Sequence, residues 1–326
     1  MKKKKIIIIG PAFFNYVDQI SFELNKKFKV TKKNDFFSNN LIIKILIRLN
    51  LKFIFFFNNL FYYFRILNII RLNKINTLLL INPEMCPIYF LKVIKRYDIK
   101  IVLYAWDSFR NKPIFHRYYK IVDVFLTFDF ADSEKFNLPL INLYSEKIFF
   151  KNTNYKKKFD LSFVGTLHSN RSKLIQNIFC QFQKEGIKFK LYIYYHNLYL
   201  ILFRSLFDKS LRNMFKIINY NSISKRQVHK IFSQSKFVLD IVHPNQTGLT
   251  SRTFETLASN SVLLTNNSYI KKFTSSLKKK CIYFDNENDL KNIIKDNKVL
   301  VKSRLSKNDI YYLSIERFID ELSQYL

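Results

Sequence analysis

Short apolar runs recur along the chain, separated by polar stretches with helical periodicity. In the first half the runs are KIIIIG (5–10), TLLLI (77–81), KIVLYA (100–105) and DVFLTF (123–128). A helix-like span, PIYFLKVIKRY (87–97), lies between the second and third. The second half repeats the scheme, with strands predicted at 160–165, 189–194, 237–242, 261–265 and 281–284. Helices are predicted near 170–184, 224–234, 251–259 and 287–297, and NDIYYLSIERFIDELSQYL predicts an amphipathic terminal helix. Strand, helix, strand at this spacing is the pattern of parallel crossover units. The expectation is α/β: two similar-sized units in tandem, residues 1–148 and 149–326, with the last helix (about 307–326) packing back on the first. The polar, lysine-rich stretch SEKIFFKNTNYKKKFD (145–160) is the expected linker.

Length and composition agree with two domains. The 326 residues exceed one ordinary compact domain, and 48% are hydrophobic, enough for two cores. Charged residues are 24%, which excludes a disordered chain. Cys86, Cys180 and Cys281 are scattered, with no Cys-x-x-Cys, so neither a disulfide framework nor a zinc site is indicated, and a reducing cytoplasm fits.

Two segments have an apolar character that suggests membranes. MKKKKIIIIGPAFF has an apolar run of only four isoleucines before Gly10-Pro11, so a lysine-flanked first strand is expected rather than a signal peptide. The stretch 41–70 is interrupted by Arg48, Lys52, Asn58, Asn59 and Arg65, and no uncharged run reaches the roughly 20 residues of a spanning helix. It reads as one or two basic amphipathic helices, lying on an anionic membrane face or packed on the sheet.

The net charge of +31 changes the picture further. Lys, Asn, Ile, Phe and Tyr share A/T-rich codons, so base composition accounts for part of the excess. The resulting field still attracts phosphates, whether of nucleic acid, lipid head groups or nucleotide diphosphates.

Candidate chemistry concentrates after three predicted strands. In HPNQTGLTSRTFETLASNSVLLTN (243–266), Thr250 or Ser251 can cap a helix, and Gly248 can permit a special turn. The helix start is an anion site, and Arg252 and Glu255, three apart, share a face. An arginine there can fork onto a diphosphate, and a glutamate can accept from sugar hydroxyls. His243, at the preceding strand end, adds a polar group beside the same crevice. In FVGTLHSNR (163–171), Gly165 and Thr166 end a strand, and Arg171 sits in the first turn of the next helix. Neither a Gly-x-Gly-x-x-Gly nor a P-loop is present. In YAWDSFRNK (104–112), Asp107 is a candidate general base, with Trp106 and Ser108 on the acceptor side. An Asp capping the next turn and a Trp sealing the sheet edge is the competing structural role. His116 and Asp129 are expected to be structural. His168, His196 and His229 lack ligand spacing, so no protein-held metal and no cofactor are expected.

FDLSFVGTLHSNR, followed some eighty residues later by LDIVHPNQTGLTSRTFETLASNSVLLTNN, resembles the C-terminal half of bacterial GT-B glycosyltransferases. The similarity is to capsule, O-antigen and lipopolysaccharide-core enzymes, akin to spore-maturation glycosyltransferase-like proteins. It covers roughly residues 100 to 270, with YAWDSFRNKP and LTFDFADSEKFNLPLINLYSE similar to the first domain of that group. The resemblance implies two Rossmann-like domains in GT-B architecture with the active site in an interdomain cleft, no metal, donor binding on the second domain and acceptor binding on the first. It places Gly165, Thr166 and Arg171 near the diphosphate, and Arg252 and Glu255 on diphosphate and ribose or donor sugar. Two departures stand out. The second glutamate that many retaining enzymes carry eight positions after the first is Leu263 here, and the glycine-rich loop near the start is reduced to Gly10-Pro11.

The function expected is transfer of a sugar from a nucleotide-sugar donor to a glycan or lipid-linked acceptor, at the inner face of the cytoplasmic membrane. The alternatives are a catalytically degenerate assembly partner and a basic nucleic-acid-binding protein. No helix-turn-helix, RNP, zinc-finger or OB signature supports the last, so no specific nucleic-acid partner is expected.

Overall fold

The computed structural model describes residues 3–12, 15–38, 40, 43, 52–151, 155–166, 171–195, 198–207, 209–273, 276–296 and 305–326. Two compact units are formed, one by Met1–Asn142 with Ile315–Leu326, the other by Leu143–Ser314.

In the first unit, β1 (Lys5–Gly10), β2 (Lys29–Asn34), β3 (Thr77–Ile81), β4 (Lys100–Ala105) and β5 (Val124–Thr127) form a parallel sheet in the order β2-β1-β3-β4-β5. Its helices are α1 (Tyr16–Leu24), α2 (Phe56–Leu72), α3 (Ile88–Lys95), α4 (Phe115–Tyr119) and α5 (Phe130–Phe136), joined by the C-terminal helix Ile315–Ser323. The unbroken IIII of β1 follows from burial on both faces. Ile7 and Ile9 pack with Leu78, Leu80, Ile101 and Leu103 against α2 and α3. Ile6 and Ile8, equally buried, face the side covered by α1 and the C-terminal helix. On that side Tyr104 meets Phe318 at 5.1 Å, edge to face.

β2 escapes a hydrophobicity reading because its sequence is KVTKKN. It is an edge strand, and lysines are a common way to blunt an exposed edge. Of the 41–70 stretch, α2 lies within the described residues and packs Tyr63, Ile66, Leu67 and Ile70 on the sheet. Residues 41, 42 and 44–51 lie outside them. Among the described residues, no helix is long and apolar enough to cross a membrane.

In the second unit, β6 (Phe159–Gly165), β7 (Phe189–Tyr194), β8 (Ile218–Asn219), β9 (Ser235–Asp240), β10 (Val262–Thr265) and β11 (Cys281–Tyr283) form another parallel sheet, ordered β11-β10-β9-β6-β7-β8. Around it are α6 (Arg171–Lys184), α7 (Leu198–Phe207), α8 (Lys209–Met214), α9 (Lys225–Ser233), α10 (Ser251–Ala258), α11 (Glu287–Asp296) and α12 (Lys307–Leu313). Leu161, Phe163, Phe237, Leu239 and Leu264 of the sheet pack with Ile175, Ile178 and Phe182 of α6 and Leu290 of α11. The chain builds outward from β6 to β8, then returns to lay β9 on the other side of β6. That reversal is a topological switch point, where open α/β sheets leave a crevice beyond the strand ends.

The terminal helix expected over 307–326 is two helices. Ser314 is extended (φ −83°, ψ 162°) and separates α12 from the helix Ile315–Ser323, hereafter α13. Ser314 forms a parallel bridge to Ser145, and the Ser145 N–H donates to the Leu313 carbonyl at 2.8 Å. The amphipathic pattern runs through the break because Leu313 is buried in one unit and Phe318 in the other.

One buried carboxylate ties the first unit together. Asp35, just past β2, accepts from the backbone N–H groups of Glu84 at 2.5 Å and Met85 at 2.8 Å, and from the Tyr63 hydroxyl at 3.0 Å. Burial nonetheless pushes its pKa up to about 6, with the donors opposing. The folded state therefore binds this proton more tightly than the unfolded chain, so the stabilisation is present at low pH and is lost as pH rises through about 6. Asp35→Asn removes that dependence. In urea unfolding followed by Trp106, the only tryptophan, wild type should gain about 2 kcal/mol on the variant between pH 7.5 and 4.5. A pH-independent difference would refute the assignment.

Candidate functional site

The switch point of the second unit brings Gly165, Thr250 and Arg252 together, with Ser251 at the helix start beside them. β6 ends at Gly165, β9 ends at Asp240, and α10 starts at Ser251. Arg252, in the first turn of α10, reaches back to both strands. Its Nη1 donates to Asp240 Oδ1 at 3.0 Å, its Nη2 donates to the Val164 carbonyl at 2.5 Å, and the guanidinium lies 5.2 Å from the Phe163 ring centre. The Thr250 hydroxyl donates to Asp240 Oδ2 at 2.9 Å, so each oxygen of this buried carboxylate is engaged. Gly165 is required by space: a Cβ there would stand 2.8 Å from Arg252 Nη2.

Thr250 occupies the N-cap position, but its side chain does not cap the helix. Its hydroxyl donates to Asp240. Ser251 is the first helical residue rather than the cap. The Thr253 N–H bonds to the Thr250 carbonyl, and the N–H groups of Ser251 and Arg252 have no acceptor among the described residues. Two backbone donors therefore stand at the positive end of a helix, beside a guanidinium.

Other expected members of the site are engaged locally. Gly248 does not adopt the left-handed backbone expected of it; its carbonyl and that of Thr247 accept from Asn267 Nδ2 at 3.2 and 3.0 Å. The turn shape is thus imposed by a side chain beyond β10. His243 Nδ1 accepts from the Asn245 N–H at 3.2 Å and braces its own turn. Thr166 follows Gly165, half-buried. Arg171 opens α6, but its side chain lies outside the described residues, as do His168 and His196.

Arg252 and Glu255, expected on one face for one ligand, are directed to different partners. Glu255 is buried and its Oε1 lies 2.5 Å from Lys225 Nζ. The same ammonium stands 3.2 Å from Glu146 and 5.7 Å from the Phe149 ring centre. Burial raises the Glu255 pKa, and Lys225 pulls it back down. Neither Lys225 nor Glu146 stood out in the sequence. The signal available was the capping box of Ser224 and Gln227, which starts α9 at Lys225. A cation in the first turn opposes the helix dipole, so a pair of carboxylates beside it is a natural counterweight.

In the first unit, Asp107 follows β4. Its Oδ2 accepts from Asn82 Nδ2 at 3.0 Å and lies 3.2 Å from Lys112 Nζ, which also holds Glu84 at 2.8 Å. Asn82, missed in the sequence, organises this turn. It is buried with φ 45°, its N–H donates to the Tyr104 carbonyl at 2.8 Å, and its Oδ1 accepts from the Trp106 N–H at 3.2 Å. Trp106 lies 6.1 Å from Tyr16, ring to ring. Ser108, expected on the acceptor side, is buried; its Oγ accepts from the Asn111 N–H at 3.2 Å and supports the turn. Asp129 caps α5 through the Asp132 N–H, and His116 packs edge-on against Phe109. His229 is buried between Ser259 Oγ and the Lys151 carbonyl, each at 3.1 Å. No group of three or more His, Cys, Asp or Glu that could hold a metal occurs among the described residues.

Residues 171–304 match the family described as Glycosyl transferase-like. No curated protein matches the chain. Among solved structures, a glycosyltransferase from Rickettsia africae aligns with TM-score 0.58 at 10% identity, covering 100% of this chain and 98% of that one. An alpha-glucosyltransferase in complex with UDP and a 13-mer DNA containing a central A:G mismatch gives 0.60 at 13%, covering 98% of each. The UDP-GlcNAc 2-epimerase from Methanocaldococcus jannaschii, in complex with UDP-GlcNAc and UDP, gives 0.55 at 14%, covering 98% of each. At these identities the likeness is one of fold, the two-sheet GT-B-like fold. Family match and fold together support sugar transfer or nucleotide-sugar processing.

Lys225→Met tests the charge arrangement in the second unit. Removing the cation takes from Glu255 and Glu146 the ammonium they share, and Lys225 is one-third exposed (33%), so a loss of about 2 kcal/mol is expected. Because the stranded carboxyls favour their neutral form, the drop in thermal midpoint should be larger at pH 8 than at pH 5. Adding Glu255→Gln should recover part of it. Equal losses at both pH values would exclude this role for Lys225.

Proposed function

We propose that the chain is a glycosyltransferase that moves a sugar from a nucleotide-sugar donor to a glycan or glycolipid acceptor in cell-surface polysaccharide or lipopolysaccharide assembly. One observation carries the reading: at the switch point of the unit that holds the glycosyl transferase-like match, a braced guanidinium converges with two backbone N–H groups that have no acceptor among the described residues. This set suits a diphosphate. Arg252 keeps N–H donors beyond the two already bonded, and Asp240 holds its plane in place. As the bond from sugar to diphosphate breaks, negative charge grows on the leaving nucleotide, where prepositioned donors stabilise it most. These groups supply the positive charge in the proposed mechanism, and no metal is invoked. Gly165, by leaving room for Nη2, keeps the guanidinium in position.

Asp107 is the proposed base toward the acceptor hydroxyl, oriented by Asn82 and Lys112, with Trp106 available to stack on a sugar face. The structures of similar fold that contain UDP or UDP-GlcNAc favour a uridine nucleotide as the first donor to try. The proposed location is the cytoplasmic membrane face, where a chain of net charge +31 meets anionic lipid. A catalytically degenerate partner is the second reading, favoured by Leu263, fully buried in β10 where many retaining enzymes carry glutamate.

Nucleotide release from UDP-, GDP-, dTDP- and CMP-sugars tests the proposal. One donor should be turned over, and Arg252→Ala should lower kcat/KM by about 10²–10³, the usual effect of deleting a donor to developing charge. Gly165→Ala should lower it by about tenfold, since a shift of the guanidinium costs on the order of 1.4 kcal/mol. If no donor is bound or turned over by the wild type, the reading fails.

A further inference from the structure

The first unit contains a cavity of about 630 Å³ between α2, the 84–87 loop, α3 and α4, a size typical of small-molecule sites. Its walls are mainly apolar, with Leu60, Met85, Ile88, Ile114 and Tyr118 among them. The lining is braced: the Tyr118 hydroxyl donates to the Cys86 carbonyl at 2.7 Å, and Asp35 accepts from the Glu84 and Met85 amides. Two exposed cations, Lys92 of α3 and Arg117 of α4, belong to the lining, and neither has an acidic partner among the described residues. Glu84 also lines the cavity, but its carboxylate is held by Lys112 at 2.8 Å. An apolar interior thus meets an uncompensated positive edge.

A second feature adjoins the cavity. On α2, Phe57, Phe61 and Phe64 are 69%, 66% and 54% exposed and recur at helical spacing along one stripe. Phe56 lines the cavity and meets Phe57 edge to face at 5.5 Å, so the stripe begins at the cavity. The helix contains no Asp or Glu, and Arg65 and Arg71 are exposed on it. Contiguous exposed aromatic surface flanked by cations suits the boundary of an anionic bilayer, where apolar rings enter and Arg and Lys meet phosphates.

We propose that this cavity takes the apolar chain of a phosphate-headed membrane lipid, with Lys92 and Arg117 on the phosphate and the Phe57, Phe61 and Phe64 stripe seated in the lipid surface from which the chain enters. The proposal rests on the first unit alone and stands whether or not the second unit transfers sugars.

Calorimetric titration of the full-length protein with dodecyl phosphate, below its micelle concentration, tests it. Dodecyl phosphate should bind one to one, inorganic phosphate should not bind measurably, and dodecyl maltoside should bind more weakly. Ile88→Trp, which fills the cavity, should weaken dodecyl phosphate by tenfold or more. Lys92→Glu with Arg117→Glu, both at exposed positions, should weaken dodecyl phosphate about tenfold and leave dodecyl maltoside unchanged. Phe57→Ser, Phe61→Ser, Phe64→Ser should abolish sedimentation with phosphatidate-containing vesicles while leaving dodecyl phosphate binding intact. The proposal is overturned if wild type does not bind dodecyl phosphate, if phosphate alone binds as tightly, or if the exposed double variant binds both amphiphiles as wild type does.

Discussion

The Arg252 guanidinium spans the carboxyl ends of two strands that are distant in sequence. It bonds Asp240 at the end of β9 and the Val164 carbonyl near the end of β6, and it lies over Phe163. The rest of the candidate donor site depends on this one contact. Gly165 has no side chain because the guanidinium occupies that space. The Thr250 hydroxyl donates to the second oxygen of Asp240, and its oxygen accepts from no helix N–H. Among the described residues the N–H groups of Ser251 and Arg252 have no acceptor, so two donors stand at the start of α10 beside the guanidinium.

Charge is handled in the same way elsewhere in the chain. With 55 basic and 24 acidic residues, each acid has several possible partners, and buried acids take the ones that hold structure. Glu255 and Glu146 share Lys225, and Glu84 and Asp107 share Lys112. Asp35 has no cationic partner among the described residues and relies on two amides and a phenol, and burial still dominates its titration. Lys92 and Arg117 are different: they line a largely apolar cavity whose acid, Glu84, is held by Lys112, and neither has an acidic partner among the described residues.

The two sheets use one topological device. Each has its first strand inside the sheet and a reversal beside it, between β1 and β3 in one unit and between β6 and β9 in the other. In both, a glycine ends the inner strand at a tight approach. A Cβ on Gly10 would stand 3.0 Å from Ile81, as one on Gly165 would crowd Arg252. Close passage at the reversal and a crevice beyond it are consequences of the same connectivity.

The sequence by itself determined the α/β class and most of the strands. Strands buried on both faces read as unbroken apolar runs such as IIII and TLLL, and polar turns between such runs mark strand ends whatever the surroundings. Strand β2, written KVTKKN, was invisible because an edge strand buries little. The break at Ser314 was equally hidden, because apolar periodicity continues through it. Tertiary structure alone decided the partners: Arg252 with Asp240 rather than beside Glu255, Glu255 with Lys225, Asn82 with Asp107 and Trp106. Helical spacing says which side chains share a face. It does not say which strand end, side chain or carbonyl from 30 or 90 residues away will meet them, and hydrogen bonds and ion pairs form only at that final distance.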